Sequence, residues 1–322
     1  MKTLLTVFMG LLLVGCGKKS SKPETKANSL STSHAKEAHN NQSKTDPTPK
    51  LEKENAAPPK DAPKVEVKKP EPPKTTVTKL IIDPIAEKAI RKELRKPTGE
   101  LTKADLEKVT EMDLARKGLT DLKGLEKLTH LENLDLKFNK LTNVKRLEKL
   151  TRLKELELHG NQLTDLEGLE KLTQLESLLL GGNQLTDADV KGLEKLTHLK
   201  YLDLSKNQLT EFPKGLENLT QLKGLRLSEN QLTEPPNALR NLTQLTHLWL
   251  WSTQLTDVTG LEKLTQLKEL NLYDNKLTDV KGLKKLRKLE ELYLGNNPDL
   301  TKTQIDELRK ALPKCFISHP KK

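Results

Sequence analysis

The segment Leu131-Glu-Asn-Leu134-Asp-Leu136-Lys-Phe-Asn139-Lys-Leu141 decides the fold of this chain, because its pattern occurs nine times. The second apolar position of each copy follows the one before it by 22, 22, 22, 24, 23, 23, 22 and 22 residues. These positions are Met112, Leu134, Leu156, Leu178, Leu202, Leu225, Leu248, Leu270 and Leu292. A repeat of this length indicates a solenoid, in which each copy forms one coil that stacks on its neighbours.

Each copy contains the signature of a short strand. Apolar and polar residues alternate through Leu134-Asp135-Leu136, as expected for a strand with one buried face. Because all copies have the same phase, we expect these strands to pair in parallel, one from each coil. The apolar side chains of a single coil recover less free energy than its backbone loses in conformational entropy, so neighbouring coils must share their burial.

An asparagine recurs at one position after the strand, and we expect a ladder of buried amides that bond the turns. Lys117 replaces it in the first copy, and Thr253 replaces it in the seventh, where a hydroxyl-bonded turn is expected. The asparagines are Asn139, Asn161, Asn183, Asn207, Asn230, Asn275 and Asn297.

The return segments repeat as well, with Gly-Leu-Glu-Lys-Leu beginning at Gly124, Gly168, Gly192 and Gly260. Such units of about 22 residues resemble the leucine-rich repeat family, and in particular its bacterial internalin type. The resemblance covers residues 109–297 as nine units. It implies an α/β solenoid, a right-handed superhelix with a curved parallel β-sheet on its concave face and short 3₁₀ or irregular turns on its convex face.

Helical caps are predicted on both sides of the repeats, because a solenoid has exposed apolar ends. Residues 80–108 form the first cap, in which Asp83-Pro84 begins a helix that continues to about Lys96. Residues 298–322 form the second cap and a tail, with a capping box at Thr301-Lys-Thr-Gln304 and a helix stop at Pro313.

The front of the chain predicts export and lipidation. Residues 1–15 have the short apolar core of a signal peptide, and Leu13-Val14-Gly15-Cys16 matches the bacterial lipoprotein cleavage box. This match implies a lipid on Cys16; the alternative is an ordinary secretory signal with an incidental cysteine. Residues 16–79 are then a lipidated cysteine followed by a disordered stalk rich in lysine and proline. We expect a lipid anchor in the bacterial envelope, in the outer membrane if there are two, with the repeats facing the periplasm or the exterior.

The charge of the chain does not indicate a nucleic-acid partner. The formal net charge is +11, but residues 17–79 hold 14 lysines against eight acidic residues. With Lys2 also set aside, the predicted folded part retains only +4, too little for a nucleic-acid footprint. Cys315 is the one cysteine besides Cys16. We expect it under the C-terminal cap, with an intermolecular disulfide as the alternative.

The concave face is the predicted binding surface. The chain has eight aromatic residues outside the signal, and both tryptophans and all three tyrosines fall on three rows of this face, whereas Phe212 and Phe316 fall elsewhere. We expect Trp249, Trp251, Tyr273 and Tyr293 to form an exposed patch of the kind that marks interaction sites. The alternative is aromatic pairing across strands with no ligand. The candidate binding residues are Trp249, Trp251, Tyr273, Tyr293, Tyr201, Arg226, His247, Asn271 and Phe138.

The opposite end of this face is acidic, with Glu111, Asp113, Asp135, Glu155 and Glu157. These carboxylates could orient a basic partner or simply form a solvated surface.

The sequence contains no catalytic constellation, metal-ligand spacing or phosphate loop, so neither an enzyme nor a cofactor is expected. The pattern predicts a membrane-anchored, monomeric protein that binds a protein partner through its concave face. A binder of cell-wall polymer or glycan is the alternative, and a structural spacer is a third possibility.

Overall fold

The computed structural model describes residues 83–233 and 236–319. Within these ranges, ten three-residue strands form one parallel sheet in chain order. This is the solenoid that the repeat predicts. The strands are β1 (Glu111–Asp113), β2 (Asn133–Asp135), β3 (Glu155–Glu157), β4 (Ser177–Leu179), β5 (Tyr201–Asp203), β6 (Gly224–Arg226), β7 (His247–Trp249), β8 (Glu269–Asn271), β9 (Glu291–Tyr293) and β10 (Phe316–Ser318).

The coils stack in register. Leu134 at the centre of β2 pairs with Met112 of β1 and with Leu156 of β3, and the same phase holds along the sheet. The spacing of 24 residues between Leu178 and Leu202 does not disturb this register, because the two strands still pair centre to centre. Buried apolar side chains form one continuous core from Ala86 to Ile317, so each coil is stabilised mainly by its neighbours.

Short 3₁₀ turns lie on the side of each coil opposite the sheet, and the Gly-Leu-Glu signature explains several of them. At Gly260 the backbone adopts φ 98°, and a Cβ there would lie 2.9 Å from the Cα of Asn237, so glycine is required. The Glu262 carboxylate accepts a 2.8 Å hydrogen bond from the Gly260 amide and thereby closes the turn. The 3₁₀ turns are Leu125–Lys127, Lys145–Lys149, Leu169–Lys171, Leu193–Lys195, Leu216–Asn218, Asn237–Leu239, Leu261–Lys263 and Lys281–Lys285.

The asparagine ladder is present and links adjacent coils. The Asn139 amide donates to the carbonyls of Leu114 and Leu136 at 2.9 and 2.8 Å, and its Oδ1 accepts from the Leu119 amide at 3.0 Å. At the seventh position, the buried Thr253 hydroxyl lies 3.0 Å from the Leu250 carbonyl and 2.7 Å from Asn275 Oδ1. The Thr253 hydroxyl therefore forms a hydrogen bond with the backbone of its own turn, as expected.

Helices lie at both ends of the array. Helix α1 (Pro84–Glu93) begins with the predicted Asp83 cap, whose carboxylate accepts from the amides of Ile85 and Ala86. It ends three residues before Lys96, earlier than predicted. The short helix α2 (Lys103–Leu106) leads into β1.

Helix α3 (Lys302–Ala311) begins with the predicted Thr301–Gln304 capping box. The chain then forms β10, a strand that the sequence did not predict, and Ile317 takes the core position next to Leu292. Cys315 is half-buried and packs against the core, and burial raises the pKa of its thiol to about 11. The thiol is therefore protonated at neutral pH, in an inert environment.

Candidate functional site

The sheet presents three rows of side chains on the face opposite the leucine core. The residues immediately before and after each central core residue form the first and second rows, because side chains alternate along a strand. The residue two positions beyond the second row forms the third. The first-row and second-row positions of the ten strands align in register, so the concave face is a continuous grid of side chains.

Trp249 lies on the second row as predicted, but the expectation that it is exposed is wrong. Its relative exposure is 0%. The indole nitrogen donates a 2.7 Å hydrogen bond to Glu269 on the next strand. The Arg226 guanidinium lies 4.8 Å from the ring centroid, and His247 stacks at 5.7 Å. Strands in a sheet are only about 4.8 Å apart, so long side chains of the neighbouring coils can close over the ring.

The Arg226 side chain connects Trp249 with Asp203 on β5, nearer the middle of the sheet. Its guanidinium forms a 3.4 Å ion pair with Asp203, and the two side chains are only 9% and 6% exposed. The Ser205 hydroxyl donates to the same aspartate at 2.6 Å. Side chains from four successive strands, β5–β8, are therefore linked to one another. This group, here named the buried seam, consists of Asp203, Arg226, Trp249 and Glu269.

Two titratable groups, Glu269 in the seam and His247 beside it, have shifted pKa values. Burial raises the pKa of Glu269, an effect that the hydrogen bond from Trp249 opposes. Burial lowers the pKa of His247, and the charge of Lys268 adds to this effect. His247 therefore favours its neutral form and stacks on Trp249 as an uncharged ring.

Exposed and half-buried aromatic side chains lie next to the seam, at the C-terminal end of the face. Tyr273 is 48% exposed on the third row, and Trp251 is half-buried beside it. Tyr293 is half-buried on the second row, and its hydroxyl donates to Glu291 at 2.5 Å. Asn271 is half-buried on β8, and its side chain accepts from the Tyr273 amide at 3.0 Å.

Phe316 was wrongly placed outside this face by the sequence pattern. It lies on the first row of β10, is 61% exposed, and meets Tyr293 edge-to-face at 6.3 Å. The signal that could have found it is Ile317, a single β-branched core residue after the helix. Trp251, Tyr273, Tyr293 and Phe316 are here named the aromatic stripe.

Two other predicted residues lie apart from the stripe. Phe138 lies after β2, is 39% exposed, and packs between Arg116 at 4.0 Å and His159 at 4.7 Å. Tyr201 is half-buried on the first row of β5, separated from His247 by the β6 strand. The structure therefore does not unite all nine predicted binding residues in one site.

The N-terminal end of the face is acidic, as predicted. Lys137 bridges Asp135 and Glu157 at 2.5 and 3.0 Å. Glu155 is half-buried, and its pKa is raised by burial and by the neighbouring carboxylates, including Glu157. Glu111, on β1 and two coils further out than Glu155, is exposed.

Within residues 83–233 and 236–319, no group of three His, Cys, Asp or Glu side chains could hold a metal ion. The same part of the chain has no helix that is both long and apolar enough to cross a membrane. The predicted lipidation site, Cys16, lies outside the described residues.

Comparison with known proteins supports the repeat assignment. Residues 165–318 match a family model described as a leucine-rich repeat region, and residues 130–171 match a model of two leucine-rich repeats. A search of curated proteins found no match.

Solved structures provide closer relatives. The chain is 32% identical to internalin C2 of Listeria monocytogenes, over 65% of this chain and 92% of the internalin, with a TM-score of 0.62. It is also 32% identical to the leucine-rich repeat protein LIC12759 of Leptospira interrogans, over 66% of this chain and 55% of that one, with a TM-score of 0.61. The chain thus spans about half the length of the Leptospira protein. Together with the in-register coils, these matches establish that the chain belongs to the bacterial internalin-like family of leucine-rich repeat proteins.

Proposed function

We propose that this protein is a non-enzymatic binding protein that docks a protein partner on its concave face. The observation that supports this most is the aromatic stripe. The leucines of each coil already fill the core, so exposed rings such as Tyr273 and Phe316 are not required to complete it. Tyrosine and tryptophan combine a large apolar surface with a polar group, and both are enriched at the energetic centres of protein interfaces.

The buried seam makes this surface well suited to binding, because it holds part of the face in one conformation before a partner arrives. The Asp203–Arg226 ion pair and the Trp249–Glu269 hydrogen bond each join side chains from two different coils. Side chains that are already fixed lose less conformational entropy on binding. Trp251, on the strand extension that follows Trp249, begins the stripe beside this fixed region.

A crosslinking pull-down from native membranes tests the proposal, with the mature protein as bait. The double variant Trp251→Ala/Tyr273→Ala should lose the partner that the parent chain captures, because it removes two rings of the stripe. Phe138→Ala is the matched control, since it removes a partly exposed ring at the far end of the same face. The identified partner is then purified and titrated against all three proteins. Equal affinity of the parent and the double variant would contradict the proposal.

The same variants also test the two alternative functions, binding of a glycan or wall polymer and a purely structural spacer. Flat aromatic rings also stack on sugars, so purified wall polymer is titrated in parallel. Binding of the polymer that the double variant loses would assign the stripe to a glycan. If the parent chain binds neither a protein partner nor the polymer, the repeats act as a spacer.

We also propose that the protein is anchored in the bacterial envelope by a lipid on Cys16. The cleavage box at residues 13–16 supports this, and the lysine- and proline-rich residues 17–79 would separate the repeats from the membrane. Cells grown with radioactive palmitate should label the parent chain and not the Cys16→Ser variant. Equal label in both proteins would rule out this anchor.

A further inference from the structure

The concave face carries a charge opposite to that of the whole chain. The chain has a formal net charge of +11. On the three rows of the concave face, among the residues that the structure describes, eight side chains are acidic and two are basic, a formal net charge of −6. The acidic residues are Glu111, Asp113, Asp135, Glu155, Glu157, Asp203, Glu269 and Glu291, and the basic residues are Lys137 and Arg226.

The two basic residues are engaged with some of these acids. Lys137 bridges Asp135 and Glu157, and Arg226 pairs with Asp203. Glu111 and Glu291 are exposed carboxylates at opposite ends of the face. The face therefore presents negative charge to an incoming partner at both ends.

Glu291 lies beside the most exposed ring of the aromatic stripe. It is the direct register partner of Phe316 on the next strand, and it accepts the hydroxyl of Tyr293. A carboxylate beside an aromatic face suits an arginine or lysine side chain, because the cation can bond the carboxylate and lie against the ring.

Two rings near the same face already bind cations of the chain itself. Arg116 lies 4.0 Å from the Phe138 centroid, and Arg226 lies 4.8 Å from the Trp249 centroid. Over residues 83–233 and 236–319, no comparable contact involves Tyr273 or Phe316. These two rings are the exposed counterparts of a pairing that the protein makes internally.

We propose that the partner of the concave face is a basic protein segment, that one of its arginine or lysine side chains binds between Glu291 and Phe316, and that a second lies against the exposed ring of Tyr273. This inference rests on the proposed function and names the chemistry of its partner. Acidic positions at the other end of the sheet, such as Glu111, orient the segment along the face by long-range attraction.

Two fluorescein-labelled 12-residue peptides serve as probes, one alternating Arg and Ser and the other alternating Glu and Ser. Their binding to the full chain is measured by fluorescence anisotropy at low and physiological salt. We expect the arginine peptide to bind, and its affinity to fall with salt as electrostatic attraction is screened. The glutamate peptide should bind at least about tenfold more weakly.

Charge variants locate the binding. Glu111→Gln/Glu291→Gln should weaken arginine-peptide binding by about tenfold. The control Glu211→Gln/Glu217→Gln removes two exposed carboxylates away from the concave rows, and it should change affinity by less than about twofold. Tyr273→Ala/Phe316→Ala should weaken binding by about fivefold through loss of the cation–π contacts. Circular dichroism and thermal unfolding verify that each variant is folded.

The inference is overturned if the arginine peptide does not bind, if the control pair weakens it as much as the concave pair, or if the glutamate peptide binds more tightly. Its failure is separable from failure of the proposed function. A captured partner that depends on Trp251 and Tyr273 but presents an acidic surface would leave the concave docking function intact and refute only the assigned charge.

Discussion

Trp249 and Trp251 are separated by one residue, but the structure gives them different roles. Trp249 is fully buried between Arg226, His247 and Glu269, whereas Trp251 is half-buried. Trp249→Ala should lower the free energy of unfolding by roughly 3–5 kcal/mol, because it leaves a cavity and removes the donor to a buried carboxylate. Trp251→Ala should cost much less. Urea unfolding measures both, and equal losses would contradict the distinction.

The partly buried histidines of the concave face predict how stability depends on pH. Burial lowers the pKa values of His159 and His247 from the ordinary 6.5. The folded state therefore favours neutral rings, while the unfolded chain takes up protons as the pH falls through about 6.5. The stability that these neutral rings contribute is fully present above about pH 6.5. It is lost as the pH falls toward and through their lowered pKa values. The raised pKa of Glu269 works in the opposite direction, since its contribution is lost as the pH rises.

The contribution of the histidines can be isolated by urea unfolding at about pH 7.5 and pH 5.5. The double variant His159→Gln/His247→Gln should lose less stability between these two values than the parent chain. Glu269 is unchanged in both proteins, so its opposite trend cancels in the comparison. An identical loss in parent and variant would exclude the histidines as the cause.

At the scale of elements, the asparagine turn is a repeated side-chain link between coils, in addition to the backbone hydrogen bonds of the sheet. Asn183 accepts from the Leu163 amide at 3.0 Å and donates to the carbonyls of Leu158 and Leu180 at 3.2 and 2.8 Å. Asn183→Ala should therefore destabilise the protein by about 2–4 kcal/mol, since it leaves buried backbone groups without partners. The exposed Asn143→Ala is the control and should change stability by less than about 0.5 kcal/mol. Comparable losses on thermal unfolding would show that the ladder is not the link.

The elements also show how far the sequence determines the fold. The leucine period sets the number and phase of the first nine strands, and the asparagine and glycine positions set the turns, because each signal is local and repeated. β10 was missed because helix α3 replaces the usual return, leaving Ile317 as a single core residue with no asparagine after it. The burial of Trp249 could not be predicted, because the phase indicates which face a side chain occupies but not which neighbours cover it.

At the scale of the whole molecule, stability is carried by contacts between neighbouring coils. Deleting residues 155–176 removes one complete 22-residue coil and joins Lys154 to Ser177 at the equivalent position. The shortened protein should fold with the same circular dichroism spectrum and a lower unfolding temperature, because it lacks one interface. Deleting residues 155–165 removes half a coil and shifts the leucine phase, so it should abolish cooperative unfolding. Loss of folding in both deletions would contradict the additive model.

The in-register pairing of coils that differ in length has a genetic consequence. Coils separated by 22, 23 or 24 residues join the same sheet without a break, so the coding segment of one coil is a self-contained module. Unequal crossing-over between two such segments would add or remove a module in frame. The gene can thereby change the length of the concave sheet in a single recombination event, while the chemistry at each end is inherited intact.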